Sequence, residues 1–292
     1  MRSEIFHAGQ VVGNYKLLAP LGIGGQSEVW SAFSAELTVV ALKIFIGGHK
    51  AFEKAQKEYR ISSSLKHSHI LSPLSFFECE GYPVIVLPYC EGHSVEGSVG
   101  CLGESVLWQL VAQVSDALVC LHGRGFVHLD VKPSNILWNG SIFLLSDFGR
   151  CCHLSEIQDE VHLSDESSFK FSAPDLKVGV SEACDIWSLG ASIFHLYMGS
   201  YVFNGLGGQA QHSNSPLPYM RKSMPQLSET VIRCLAFSPA DRPSAAELHQ
   251  LAVGALETVV EKPRGRKSLN GRHDSMSEVP KCFWPDEMTE AG

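Results

Sequence analysis

The stretch HLDVKPSNIL, residues 128–137, constrains the fold most strongly because it places three polar side chains in a mostly apolar run. Asp130, Lys132 and Asn135 lie at offsets of zero, two and five along this stretch. Burying polar groups costs free energy unless each one finds a partner. The pattern therefore predicts a loop whose polar side chains meet at a functional site.

A predicted hairpin brings a further acidic residue to this loop. ILWNGSIFLL, residues 136–145, contains Asn139–Gly140, the pair favoured by a type I′ turn because both central residues have positive φ. Folding back at this turn brings Asn135, before the first strand, close to Asp147, after the second. Amide and carboxylate oxygens suit Mg²⁺, which shares its remaining positions with water and phosphates. We therefore expect a magnesium site at Asn135 and Asp147, with Asp130 beside it as a proton acceptor.

The hydrophobic pattern divides the chain into a β-rich first part and a helical second part. Residues 14–46 predict three strands, residues 50–65 a helix, and the stretches ILSPLSFFE and YPVIVLPY two more strands. After Gly92 the apolar spacing becomes helical, which predicts helices over residues 104–122, 182–198, 227–236 and 244–259. We therefore expect an α+β fold with a small β-rich N-lobe and a larger helical C-lobe.

Composition bears on partners and location. The net charge of −8 and the pI near 5.9 provide no basic patch for nucleic acid or a membrane surface. The first residues carry no secretory signal, and about 18 uninterrupted apolar residues occur nowhere. Nine cysteines without a CxxC pair favour reduced thiols over disulfides or a zinc site. We expect a soluble, cytoplasmic protein without a membrane span that binds no nucleic acid.

Several motifs resemble the signature of the protein kinase family. HxDxKxxN, followed by DFG twelve residues after its asparagine, is similar to the catalytic loop and the metal-binding motif. LGIGGQSEV, Leu21–Val29, resembles the glycine-rich loop over the ATP phosphates, with Ser27 at the third glycine. VVALK, Val39–Lys43, resembles the strand that carries the phosphate-binding lysine. SAPD, Ser172–Asp175, is similar to the APE motif and precedes DIWSLG and DRP in the family's order.

The resemblance implies two lobes and a tail. It places an N-terminal extension at residues 1–12 and the kinase domain at 13–255. Within that domain the N-lobe covers 13–88, the hinge 88–93 and the C-lobe 94–255, and a flexible tail follows at 256–292. The tail contains KCFWP, and a second interpretation is a regulatory segment whose Phe283 and Trp284 dock on the kinase body or on a partner.

The resemblance also implies a role for each candidate site residue. Asp130 would accept the proton of the substrate hydroxyl, and Lys132 would face the transferring phosphate. Lys43 would bind the α- and β-phosphates with Glu58 as its helix partner and Glu53 as the runner-up. Mn²⁺ is an alternative to Mg²⁺ at the metal ligands Asn135 and Asp147. The residues expected around ATP are Leu21, Gly22, Ile23, Gly24, Gly25, Gln26, Ser27, Glu28, Val29, Ala41, Lys43, Pro88, Cys90 and Leu137, with Leu87 guarding the deeper pocket.

Lys132 favours a serine/threonine protein kinase, because DxKxxN marks that class and small-molecule kinases usually lack this lysine. The expected substrates are therefore proteins that bear Ser or Thr hydroxyls. A pseudokinase or a weakly active binding module is the alternative. Ser62 supports the alternative, because a large apolar residue usually stacks there on the DFG phenylalanine. Asp175 is one methylene shorter than the usual glutamate, so its bridge to Arg242 is expected to be strained or relayed.

Leu129 replaces the arginine that most regulated family members carry before the catalytic aspartate. Leucine has no donor for a phosphate on the activation segment. That segment is already acidic, and we expect its carboxylates to meet small-lobe cations. The acidic residues are Glu156, Asp159, Glu160, Asp165 and Glu166, and the cations are Lys54, Lys57 and Arg60.

Overall fold

A six-stranded antiparallel sheet forms the first part of the chain, and its strands are neighbours in chain order except that the sixth lies between the fourth and the fifth. The structure is a computed structural model, and it describes residues 5–157, 169–177, 179–212, 215–216, 219–220 and 223–261. The predicted strands between residues 14 and 89 are confirmed. The six strands are β1 (Val11–Val12), β2 (Tyr15–Ile23), β3 (Ser27–Phe33), β4 (Val39–Phe45), β5 (Ser75–Cys79) and β6 (Tyr82–Pro88).

The first strand was not predicted. In β1, Val11 pairs with Lys16 and Val12 with Tyr15. A strand of two residues is too short to show an alternating pattern, so the sequence, which indicated about five strands, gave no sign of it. Residues 1–4 lie outside the described residues, and the boundary of the extension at residue 12 stays a prediction.

The connection between β4 and the helix α1 (His49–Ser64) is only three residues long, Ile46–Gly48. Gly47 has φ of 124° and Gly48 has φ of 66°, a region of backbone conformation that glycine enters without a steric penalty. A tight connection is needed here because Lys43 and Glu58, which the resemblance pairs, are only 15 residues apart in the sequence. The short connection turns the chain at once from the sheet into the helix that carries Glu58.

The second part is built around α2 (Glu104–His122), whose apolar face is buried. All four predicted helices are confirmed to within two residues at each end: α2, α3 (Ala183–Met198), α4 (Pro225–Cys234) and α5 (Ala245–Glu261). By length and composition alone α2 could cross a membrane, but it packs inside the core of this part. Because α5 continues to Glu261, residues 256–261 are helical, whereas 262–292, with Phe283 and Trp284, lie outside the described residues.

The predicted hairpin is present, but its turn differs from the prediction. Strands β8 (Ile136–Trp138) and β9 (Phe143–Leu145) pair antiparallel, while β7 (Phe126–Val127) pairs with β10 (Cys152–His153). Of the Asn139–Gly140 pair, only Gly140 has positive φ, at 96°. The Asn139 side chain instead accepts hydrogen bonds from the N–H groups of residues 141 and 142, at 3.0 and 2.9 Å. This side-chain turn replaces the expected type I′ turn.

Arg242 and Asp175 form a direct ion pair inside the second part. Arg242 Nη2 lies 2.6 Å from Asp175 Oδ1, and neither side chain is more than 8% exposed. The guanidinium also donates to the backbone oxygens of Ala183, Ala236 and Phe237 at 2.8–2.9 Å. The shorter aspartate therefore reaches the arginine directly, so of the two expectations, a strained or a relayed bridge, the relayed one was wrong.

We predict that Arg242→Ala lowers the free energy of unfolding by ~3–5 kcal/mol, because it leaves the Asp175 carboxylate buried without its cation. Urea denaturation followed by tryptophan fluorescence measures this loss. Arg233→Ala removes an exposed arginine of α4 and serves as the control, with an expected change within ~0.5 kcal/mol. A loss below ~1 kcal/mol for Arg242→Ala would contradict a structural role for the pair.

Candidate active site

A cavity of about 350 Å³ lies where the sheet faces the β8–β9 hairpin. Apolar side chains from both parts of the chain line it, together with residues 88–90. Of the residues expected around ATP, eight line this cavity: Leu21, Gly22, Val29, Ala41, Lys43, Pro88, Cys90 and Leu137. Leu87 also lines it. Burial raises the pKa of Cys90 to about 11, so its thiol is protonated at neutral pH.

The remaining residues of the glycine-rich loop, Ile23–Glu28, are not among those that line the cavity. Gly24 N donates to Ser27 O at 2.9 Å, which closes a tight turn at the tip of the loop. Gln26 Oε1 accepts a hydrogen bond from Lys54 Nζ at 2.9 Å. The Glu28 side chain is buried against the opposite face of the sheet. The assignment of these residues to ATP binding stays a prediction.

Lys43, in β4, connects the sheet, α1 and the second part of the chain. Its Nζ lies 2.8 and 2.9 Å from the two carboxylate oxygens of Glu58 and 2.8 Å from Asp147 Oδ1. Glu53, the alternative partner for Lys43, is exposed, and its Oε1 lies 3.5 Å from His49 Nδ1. The structure thus brings Lys43, Glu58 and Asp147 together and leaves Glu53 outside the site.

The two carboxylates that share Lys43 have very different acidities. Burial raises the pKa of Glu58 to about 7, although Lys43 opposes this effect. Burial acts the same way on Asp147, but Lys43 and the Gly149 N–H outweigh it and lower its pKa to about 2. Burial disfavours the charge on Lys43, yet the two carboxylates hold its pKa above the ordinary value. At neutral pH Asp147 is therefore ionised at the edge of the cavity.

Asp130, Lys132 and Asn135 contact one another as the sequence pattern predicted. Asn135 Nδ2 donates to the Asp130 backbone oxygen and to its Oδ2, both at 2.9 Å, and Lys132 Nζ lies 3.2 Å from the same Oδ2. The Ser146 backbone N–H and hydroxyl both donate to Asn135 O at 2.9 Å. These bonds fix the catalytic loop to the residue immediately before Asp147.

The metal ligands expected from the sequence fit a hard cation. Asn135 uses its amide nitrogen to contact Asp130, which leaves the amide oxygen as the donor for a metal. Asp147 is ionised, and both residues line the cavity. Oxygen donors of this kind suit Mg²⁺ when substrate phosphates and water complete its coordination.

Asp185 is a functional residue whose role the sequence analysis missed. Its carboxylate is fully buried and accepts hydrogen bonds from the N–H groups of His128 and Leu129, both at 2.8 Å. His122 Nε2 lies 2.9 Å from the same carboxylate. Asp185 thereby holds the backbone that leads into Asp130. The signal in the sequence was a carboxylate within an apolar helix, which requires buried donors.

The inward position of α1 does not depend on a large side chain at Ser62. Ser62 is buried, and its hydroxyl donates to Glu58 O at 2.7 Å. Phe148 of the DFG motif is 2% exposed and packs edge-on against the His128 ring at 5.1 Å between centroids. The phenylalanine is therefore held by the catalytic loop, while the ion pair to Lys43 holds the helix.

Comparisons with known proteins agree with this geometry. The family model for the protein kinase domain matches residues 15–252, so the chain belongs to the protein kinase family. The expected membership of the protein kinase family and the expected two-lobed α+β fold are thereby confirmed.

Several of the relatives are named as serine/threonine-protein kinases. Serine/threonine-protein kinase pkn3 of Myxococcus xanthus is 27% identical over 94% of this chain and 58% of its own length. Serine/threonine-protein kinase ppk11 of Schizosaccharomyces pombe is 29% identical, over 80% of this chain and 79% of its own. A probable serine/threonine-protein kinase of Dictyostelium discoideum is 31% identical over 65% of this chain and 32% of its own. The chain thus spans little more than half of the Myxococcus relative.

We predict that Glu58→Gln lowers kcat/KM for ATP by about tenfold or more, because glutamine has one acceptor oxygen where Glu58 offers Lys43 two, and a hydrogen bond to a charged group is worth ~1.5–3 kcal/mol. Steady-state phosphorylation of a generic protein substrate at varied ATP measures this effect. Glu53→Gln is the matched control on the same helix and should change kcat/KM less than about twofold. Equal effects of the two substitutions would show that the Lys43–Glu58 pair has no role in the reaction.

Proposed function

We propose that this chain is an active serine/threonine protein kinase that transfers the γ-phosphate of ATP to hydroxyls of protein substrates. The observation that carries the proposal is the assembled ion cluster in which Lys43 contacts both Glu58 and Asp147 at the cavity wall. The names of the relatives support the serine/threonine class. Proteins bearing Ser or Thr are the proposed substrates, and a cytoplasmic location and a partner for the tail remain proposals.

Two alternatives receive less support. A pseudokinase typically loses Lys43, Asp130 or Asp147, and all three are present here. Lys43 and Asp147 line the cavity, and Asp130 contacts Asn135, which also lines it. A small-molecule kinase usually lacks both the lysine at position 132 and the buried pair of Asp175 with Arg242. The arrangement therefore favours transfer to a protein over mere binding or transfer to a metabolite.

The chain's own residues account for positioning and proton transfer. Lys43 would hold the α- and β-phosphates, and Asp130 would accept the proton of the substrate hydroxyl while Lys132 balances charge near the transferred phosphate. Asn135 and Asp147 would hold Mg²⁺, with Mn²⁺ as the alternative. The metal, when bound, would neutralise charge on the phosphates. Phosphoryl transfer of this kind depends mostly on positioning and charge stabilisation.

We predict that Lys43→Met and Asp147→Asn each abolish measurable transfer while the fold persists. Electrostatic groups of this kind are worth ~10²–10³ in rate. The measurement is incorporation of radiolabelled phosphate into a basic protein, with circular dichroism as the check on folding. Lys50→Met, on an exposed position of α1, is the control that should keep the wild-type rate. A rate above about a tenth of wild type for either variant would contradict the proposed roles of Lys43 and Asp147 in phosphate transfer.

We also predict that the kinase does not depend on phosphorylation of its activation segment. Leu129 is 7% exposed and packs in the core of the second part, so it provides no donor for a phosphate. Asp159, Glu160, Asp165 and Glu166 lie outside the described residues, so their expected contacts with Lys54, Lys57 or Arg60 stay a prediction.

The test is to treat the protein with phosphatase and to measure its initial rate under conditions that prevent rephosphorylation. The expected rate is within about twofold of the untreated protein, because adding phosphate to an acidic segment adds repulsion. A fall of more than about tenfold, restored by phosphorylation at Ser164, Ser167 or Ser168, would show that another cation has replaced the arginine.

A further inference from the structure

The segment Ile5–Val12 covers the face of the sheet that is turned away from the cavity. Phe6 and Val12 are buried in one apolar cluster with Trp30 and neighbouring strand residues. The Phe6 ring packs edge-on against Tyr82 at 5.1 Å between centroids. Residues before the catalytic domain are therefore part of the core of the N-lobe.

The two faces of β3 carry side chains with different roles. Successive side chains of a strand point to opposite faces. Val29 lines the cavity on one face, while Glu28 and Trp30 point to the other. Glu28 thus sits beside a residue of the nucleotide pocket, but its side chain meets the N-terminal segment.

The Glu28 carboxylate joins this segment to the sheet. Glu28 is 1% exposed. Its Oε1 accepts a hydrogen bond from the Ile5 N–H at 2.7 Å, and its Oε2 accepts from the Phe6 N–H at 3.4 Å and from Trp30 Nε1 at 2.9 Å. A buried carboxylate is costly unless donors satisfy it. Two of these three donors come from the backbone of the N-terminal segment.

The position of Glu28 makes this contact relevant to the glycine-rich loop. Glu28 is the second residue of β3, directly after the turn at the tip of the loop, and it pairs with Ile23 across that turn and with Ile44 of β4. The preceding residue, Ser27, closes the turn with Gly24. Holding Glu28 therefore holds the base of the loop on both of its stems.

We propose that Glu28 is a positioning residue through which residues Ile5 and Phe6 fix the base of the glycine-rich loop and so set the affinity for ATP. The effect on ATP rests on the proposed function, whereas the effect on the loop does not. The segment Ile5–Val12, here called the strap, thereby restrains the glycine-rich loop, and release of the strap makes the loop more mobile.

The full-length chain with Ile5→Pro tests the strap, because proline removes the N–H that donates to Glu28. Ile5→Ala keeps that N–H and is the matched control, since the Ile5 side chain is 45% exposed. Hydrogen exchange without nucleotide, read on peptides covering residues 21–29, should be faster in Ile5→Pro and unchanged in Ile5→Ala. Calorimetric titration with ATP and Mg²⁺ should show about 3–10-fold weaker binding in Ile5→Pro alone.

A double-mutant cycle with Glu28→Ala separates the strap from a general loss of packing. In the Glu28→Ala background, Ile5→Pro should add no further change in exchange or affinity. Unchanged exchange over residues 21–29 in Ile5→Pro, or full additivity of the two substitutions, overturns the proposal. If Glu28→Ala fails to fold, the Ile5→Pro and Ile5→Ala pair still decides. If the wild-type chain binds no ATP, the proposed function fails and exchange alone decides the strap.

Discussion

The arrangement of the two lobes depends on one buried ammonium group. Lys43 is shared by Glu58 of α1 and Asp147 of the DFG motif, so three separate parts of the chain meet at its Nζ. Without this cation the two carboxylates would face each other as like charges in a partly buried site, which costs free energy. The same contact places Asp147 at the cavity, where its charge can receive a metal. The position of α1, the shape of the cavity and the acidity of its ligands therefore follow from a single group.

A second constraint acts on the backbone of the catalytic loop. A leucine stands between His128 and Asp130 in the sequence for a structural reason. The Leu129 side chain packs in the core, while its N–H donates to Asp185. Its φ of 61° is unusual for a leucine and costs ~1–3 kcal/mol. The buried hydrogen bonds to the Asp185 carboxylate offset that strain. The catalytic aspartate is thus positioned by a strained backbone together with the contacts of its carboxylate to Asn135 and Lys132.

Local periodicity made most of the fold predictable. The helices from residue 104 onward and the strands from residue 14 carry clear apolar patterns, and the resemblance to the protein kinase family implied the pairing of Lys43 with Glu58. Contacts between distant residues were beyond that reasoning. Asp185 binds residues more than 50 positions earlier, and Glu28 binds the backbone of Ile5, an exposed residue with no polar side chain. A pattern along the chain shows which face of an element is buried, but it does not identify the partner that a buried carboxylate will find.

The three-residue connection between β4 and α1 has a mechanical consequence. Because the connection Ile46–Gly48 has only three residues, it limits how far the start of α1 can move from the end of β4. Glu58 lies nine residues beyond His49, roughly 14 Å along the helix at about 1.5 Å per residue, so a tilt of about 15° displaces its carboxylate by roughly 3.5 Å. That displacement breaks a 2.8 Å contact with Lys43. A small tilt of α1 is therefore enough to separate Glu58 from Lys43.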